Sequence, residues 1–224
     1  RMSWEVAKTA IDYILSHEDD MKEESVVWDF IGGEPFLEID LIDKICDYLK
    51  TEMFRRNHHW FNSYRFSFST NGINYGTEKV QRFIEKNRDH LSIGITIDGT
   101  KQKHDLNRIW KTKDMEHGVM PKAEEEKGSY DDVVRNIPLW LKQFPKASTK
   151  VTISSNDIPY IKESVLHLYS LGIHEVNINC VFEEVWKEGD DKLFEYQLTS
   201  LADTIIDMDY YKDYACSFFN ENMG

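Results

Sequence analysis

A chain of 224 residues with 41% apolar and 13% aromatic side chains is long enough, and apolar enough, to fold as one α/β domain with a sizeable core. Its 40 acidic and 27 basic residues leave a formal net charge of -13, a balance that repels polyanions and excludes nucleic acid and anionic membranes as natural partners. No apolar run approaches the roughly 20 residues of a spanning helix, and the scattered Cys46, Cys180 and Cys216 make neither a disulfide framework nor a CxxC site, as expected of a cytoplasmic protein.

Arg1 has the look of a processing boundary, and no signal-peptide pattern follows it. Trp4, Ala7, Ile11 and Ile14 then recur at helical spacing behind Ser3, a residue suited to capping. Residues 26–31 form an apolar run that predicts a strand, and Gly32-Gly33-Glu34-Pro35 follows as a tight turn bearing a carboxylate. Paired glycines permit positive φ and close approach of a ligand to the backbone. Pro35 has its φ pre-set for a first helical position, and Leu37, Leu41, Ile45 and Leu49 mark the helix. A strand is predicted over 64–69, ending in Thr70-Asn71-Gly72, then a short helix around Val80, Phe83 and Ile84.

The next strand, 91–97, ends in Asp98-Gly99. Residues 109–128 are charged and aperiodic and read as an exposed insertion, with Glu124-Glu125-Glu126 a solvated face. One helix is predicted over 130–144 from Val134, Ile137 and Leu141, with Pro138 awkwardly inside it. A strand over 150–153, a helix on Ile161, Val165 and Leu168 closed by Gly172, a strand over 176–181 and a helix on Leu198, Leu201 and Ile205 complete the order.

Five strands alternating with helices predict parallel βαβ units with right-handed crossovers. Each strand exits into Gly, Ser, Thr, Asn, Asp or Glu. Polar groups gathered at the carboxyl ends of parallel strands are what a barrel-type binding face requires, although the same residues also simply make turns.

The ordered set Gly32-Gly33-Glu34-Pro35, Ser69-Thr70-Asn71-Gly72, Thr96-Ile97-Asp98-Gly99, His104-Asp105-x-x-Arg108 and Gly128-Ser129-Tyr130-Asp131 resembles radical S-adenosylmethionine enzymes. More narrowly it is similar to the peptide- and protein-modifying maturases with a C-terminal SPASM-type domain, over roughly residues 24–186. That resemblance implies a partial (β/α) TIM-like barrel of parallel strands, missing its first strand. It implies a core domain over 1–208 and, over 209–224, the start of a linker toward an absent auxiliary-cluster domain. One departure is large: the family's CxxxCxxC loop has no counterpart here, and Cys46 falls inside a predicted helix. Thiolates are the ligands such a [4Fe–4S] cluster needs, so this fragment is expected to hold no cluster and to be inactive alone. Thr96, where the family commonly has Ser, keeps the hydroxyl.

In the family, S-adenosylmethionine is cleaved reductively at the cluster to a 5′-deoxyadenosyl radical. The resemblance implies that Gly32, Gly33 and Glu34 receive the methionine ammonium, and acceptors beside a carboxylate suit that charge. Ser69, Asn71 and Thr96 become candidates for the ribose hydroxyls and methionine carboxylate, Arg108 for a carboxylate, and Val181 for packing the adenine. Plainer readings stand beside these. Arg108 can pair with a neighbour such as Asp105, Asp98 can cap the following turn, and Val181 can be core. His58-His59 reads as a surface pair, Glu183-Glu184 as a solvated strand exit, and Cys216 as a free thiol.

The favoured function is therefore the core of a maturase that modifies a ribosomally made precursor peptide, installing a thioether or related cross-link. A non-catalytic degenerate barrel that binds a peptide or protein is the alternative. Chance matches in an unrelated α/β enzyme are disfavoured, since no GxxxxGK[ST], GxGxxG or GxSxG is present. An open barrel edge would leave backbone groups for self-association.

Overall fold

The computed structural model describes residues 2–17, 22–110, 128–183 and 185–220. The expected insertion, with Glu124-Glu125-Glu126, and Glu184 lie wholly or mostly outside the described residues. The fold class is α/β, with six strands, all parallel, in chain order within one sheet, as in part of a (β/α) barrel. The chain divides into two compact units, Arg1–Thr70 with Asn74–Ile93 and Asn71–Ile73 with Gly94–Gly224.

In the first unit, Ser3 caps α1 (Trp4–Ser16) by accepting the Val6 N–H at 3.3 Å. Strand β1 (Val26–Phe30) pairs with β2 (Tyr64–Thr70), Val26 opposite Tyr64 and Phe30 opposite Phe68. Helix α2 (Ile39–Arg55) buries Ile42, Ile45, Cys46, Leu49 and Met53, and α3 (Glu78–Asn87) buries Val80, Phe83 and Ile84. Phe30 stacks on Phe68 at 4.8 Å, and Phe66 is fully buried. Each such ring or branched chain removed from water contributes about 1.5–3 kcal/mol.

In the second unit, β3 (Leu91–Thr96), whose last residues belong here, pairs with β4 (Ser148–Ile153). Next come β5 (Glu175–Cys180) and the two-residue β6 (Ala215–Cys216). Helices α4 (Lys101–Asn107), α5 (Tyr130–Val134), α6 (Ile137–Gln143), α7 (Ile161–Ser170) and α8 (Asp190–Asp207) complete it. Ile95, Ile137, Trp140, Val151, Leu168, Val176 and Leu201 form its core. A Schellman closure ends α7: the Gly172 N–H reaches the Tyr169 carbonyl at 2.9 Å and the Ile173 N–H that of Leu168 at 3.2 Å, with Gly172 at φ +82.

Several sequence expectations need correction. The helix predicted over 130–144 is two helices, because Pro138 cannot donate within a continuous ladder and instead sits in the first turn of α6. Residues 35–38 form a 3₁₀ turn before α2, not its first turn. Strand β6 escaped notice because two residues carry no alternation. His58 is not a surface side chain: it is 2% exposed, its ring stacks on His59 at 4.7 Å, and its Nδ1 accepts the Trp60 N–H. Among the described residues, no helix is long and apolar enough to cross a membrane.

Candidate functional site

Alternation along the strands separates an apolar side from a polar one in each unit. In the first, buried Phe66, Phe68 and Thr70 on β2 alternate with Arg65, Ser67 and Ser69, which reach the other side. On β1, Val27 and Asp29 are exposed, and the register sets Asp29 opposite Ser67. Beyond β1 the chain turns at Gly32, whose φ of +108 requires glycine. A methyl group on Gly32 or Gly33 would meet no protein atom within 4 Å, so at Gly33 crowding does not explain the residue.

The Glu34 carboxylate caps the 3₁₀ turn. Its Oε1 accepts the Phe36 N–H at 3.0 Å and the Thr70 hydroxyl at 2.7 Å, tying the β1 exit to the β2 exit. Gly33 and Glu34 border a hollow of about 550 Å³ floored by Ile11, Trp28, Leu41 and Ile45. An anionic, backbone-rich rim over an apolar floor suits a cation attached to an apolar body. Ser69, partly exposed, stands on the polar side one residue before Thr70.

In the second unit the polar side carries Thr96 on β3, Lys150 and Thr152 on β4, and Asn177 and Asn179 on β5. The register places Thr96, Lys150 and Asn177 in one row and Thr152 beside Asn179 in the next. Asn71 shapes the β2 exit, accepting the Ile73 N–H at 3.0 Å, and Asn136 clamps that turn by donating to the Gly72 carbonyl at 2.8 Å and the Ile73 carbonyl at 3.1 Å. Val181 is partly exposed; its N–H reaches the Ile153 carbonyl at 3.0 Å, and its carbonyl accepts the Trp186 indole N–H at 3.2 Å.

Arg108 pairs with Asp98, not with Asp105. Its Nε donates to Asp98 Oδ2 and its Nη2 to Oδ1 at 3.3 Å, while Oδ1 also accepts the Thr152 N–H at 3.0 Å. Asp98 is thus a buried anchor between α4 and β4, and Thr100 caps α4. Asp105 accepts the Tyr130 N–H at 2.9 Å and pairs with Lys101 at 3.0 Å. Fully buried His104 accepts the Asp98 N–H on Nδ1 at 3.2 Å and reaches the Ser129 hydroxyl through Nε2 at 3.0 Å. Burial outweighs the nearby Asp98 charge and lowers the His104 pKa to about 4, so the ring is neutral at pH 7.

Lys103, 1% exposed, donates to the Thr152 carbonyl at 2.7 Å and lies 3.6 Å from Asp157 Oδ1; burial lowers its pKa. Burial pushes Asp157 up, yet hydrogen bonds from Ser154 and the Lys103 charge hold it below the ordinary carboxylate range. Sequence reasoning missed Lys103, Asp157 and Asn136. Only Asp157 had a legible signal, the Ser154-x-x-Asp157 capping-box spacing.

An iron–sulfur cluster does not fit the side chains of this chain. No group of three His, Cys, Asp or Glu among the described residues is arranged to hold a metal. Cys46 and Cys216 are buried, and burial pushes all three thiols up, away from the thiolate form.

No family model matches the chain. An uncharacterized protein of Methanocaldococcus jannaschii is 26% identical over 181 residues, 80% of this chain and 53% of that protein. Native anSMEcpe with bound AdoMet matches with a TM-score of 0.69 at 19% identity, covering 97% of this chain and 55% of that one. The same protein with AdoMet and the Kp18Cys peptide gives 0.69 at 19% identity, covering 97% and 56%. The chain thus spans about half the length of the proteins it matches. The likeness is one of fold, an α/β arrangement with a parallel sheet.

Proposed function

We propose that this chain is the S-adenosylmethionine-holding core of a radical maturase acting on a ribosomally made peptide. The observation that carries the reading is the Glu34 turn: a carboxylate fixed at 2.7–3.0 Å by Thr70 and Phe36, beside the exposed glycines Gly32 and Gly33. Support comes from the fold shared with an AdoMet-bound protein.

On this reading, carbonyls of Gly32 and Gly33 and the Glu34 carboxylate accept from the ammonium, and Ser69 offers a hydroxyl for donation to an acceptor on the same ligand. Asn71, Thr96, Arg108 and Val181 stand as further candidate ligand residues of the second unit, taken by itself. Arg108 is held by Asp98, so its remaining donors define a fixed direction for a carboxylate. When bound, S-adenosylmethionine supplies a sulfonium whose carbon–sulfur bond breaks on reduction. No step through a cluster is assigned to this chain, because its side chains do not fit one. Residues 1–208 are the proposed core domain, with 209–224 leading toward a further domain.

A second reading, a non-catalytic barrel that binds peptide, is favoured by that same lack of thiolate ligands among the described residues. Titration calorimetry of the chain with S-adenosylmethionine decides the first part: one site with an affinity reduced at least tenfold by Glu34→Ala supports it, and no binding overturns it. Formation of 5′-deoxyadenosine by the complete protein under anaerobic, reducing conditions separates maturase from binding module.

A further inference from the structure

Behind β5 the chain presents apolar surface that the ligand reading does not use. Phe182 is fully exposed, Val185 and Trp186 stand 39% and 40% exposed, and a hollow of about 900 Å³ opens beside them. Ile158, Trp186, Phe194 and Leu198 give it an apolar floor, and all of its lining belongs to the second unit. Its shape is held locally: the Trp186 indole donates to the Val181 carbonyl at 3.2 Å, and Phe194 packs edge-on against Phe218 at 5.3 Å. Gly189, at φ +90, makes the turn into α8.

The rim is acidic. Glu188, Asp190, Asp191 and Glu195 line it, and the one cation among the described lining residues is Lys187, whose ammonium donates to Asn156 Oδ1 at 2.7 Å. Helix needs account for part of this charge only. Asp190 and Asp191 favour the positive end of α8, and Asp190 also accepts the Lys187 N–H at 2.7 Å. Glu188 precedes the helix, and Glu195 lies beyond its first turn. Asp191 and Glu195 are also four residues apart, a spacing at which like charges destabilise a helix.

We infer that this hollow docks a cationic peptide segment, one bulky apolar side chain seated on Trp186, Phe194 and Leu198 and flanking Lys or Arg residues facing Glu188, Asp191 and Glu195. Charge complementarity selects this occupant: an anionic rim on a chain of net charge -13 repels acidic partners and a second copy of itself. An exposed aromatic anchor in a concave, apolar setting is where binding energy concentrates at interfaces. The inference deepens the peptide reading above by naming the substrate segment's chemistry, and it rests on that reading.

The test uses fluorescence anisotropy with three fluorescein-labelled decapeptides: Phe-Leu between lysines, Phe-Leu between glutamates, and Ser-Ser between lysines. Expected is saturable binding of the first alone, weakened by raised salt, and a loss of at least tenfold in both Glu188→Lys/Glu195→Lys and Trp186→Ala. Both variants alter exposed positions, and circular dichroism with S-adenosylmethionine calorimetry on the same samples reports their fold and the Glu34 site separately. Absent binding of the first peptide, equal binding of the glutamate peptide, or full affinity in the charge-reversed variant overturns the inference. Peptide binding without S-adenosylmethionine binding would uphold the docking surface while removing the cofactor reading.

Discussion

Arg108 closes on Asp98 with two guanidinium nitrogens, and the carboxylate that receives them is 1% exposed while also accepting the Thr152 N–H. The pair fastens the end of α4 to β4. Asp98→Asn removes the counter-charge and leaves Arg108 beside a neutral amide. Because Arg108 is 31% exposed and partly screened, the expected loss is about 2–3 kcal/mol of unfolding free energy, below the full cost of breaking a buried pair. Denaturant titration checks it, and a loss under about 0.5 kcal/mol would show that the pair holds nothing.

His104 gives a pH dependence with a defined sign. Its folded pKa of about 4 lies below the ordinary 6.5, so the unfolded chain binds the extra proton first. The contribution is present above pH 6.5 and is lost as pH falls toward 4. A gap of that size corresponds to roughly 3 kcal/mol. His104→Asn, which can keep an acceptor beside the Asp98 amide, should flatten the stability slope between pH 6.5 and 4 relative to the parent. An unchanged slope would count against a buried neutral ring.

Gly99, at φ +116, lies against α7: a Cβ there would stand 2.2 Å from Ser164 Cβ and Oγ and 2.8 Å from its Cα. Gly99→Ala combines left-handed strain with a clash and should cost roughly 2–4 kcal/mol. Gly33→Ala meets nothing within 4 Å and should leave the melting temperature within a few degrees while lowering S-adenosylmethionine affinity. Calorimetry of melting and of binding reads the two effects separately.

Glu34 has a structural and a proposed ligand role that substitutions can part. Glu34→Gln keeps an acceptor for the Phe36 N–H and the Thr70 hydroxyl, whereas Glu34→Ala loses both and should cost about 1 kcal/mol of stability. Both variants remove the charge, so both should bind S-adenosylmethionine at least tenfold more weakly. Full affinity in Glu34→Gln would restrict Glu34 to capping.

The strands predicted over 26–31, 64–69 and 91–97 were legible to within a residue of their observed ends because short apolar runs bounded by turn residues are a local property of the chain, and so was the Gly172 stop. Pro138 announced a break, but its placement depended on α6 beginning at Ile137. Of the site, the glycine turn and the polar strand exits were readable from residue type. The partners were not: Arg108 had Asp105 three residues away in sequence, yet it pairs with Asp98, ten residues back.

Residue order by itself determined the α/β class, the parallel connection pattern and the acidic character of this protein, since periodicity, turn chemistry and charge are summed along the chain. Tertiary structure alone decided which carboxylates are anchors and which are open. Buried Asp98 and Asp157 are held by groups up to 54 residues distant in sequence, Thr152 for Asp98 and Lys103 for Asp157, whereas Glu188 and Glu195 face water. The physical reason is desolvation: a charge's cost and partner depend on what packs around it, and packing is made by segments that meet only on folding.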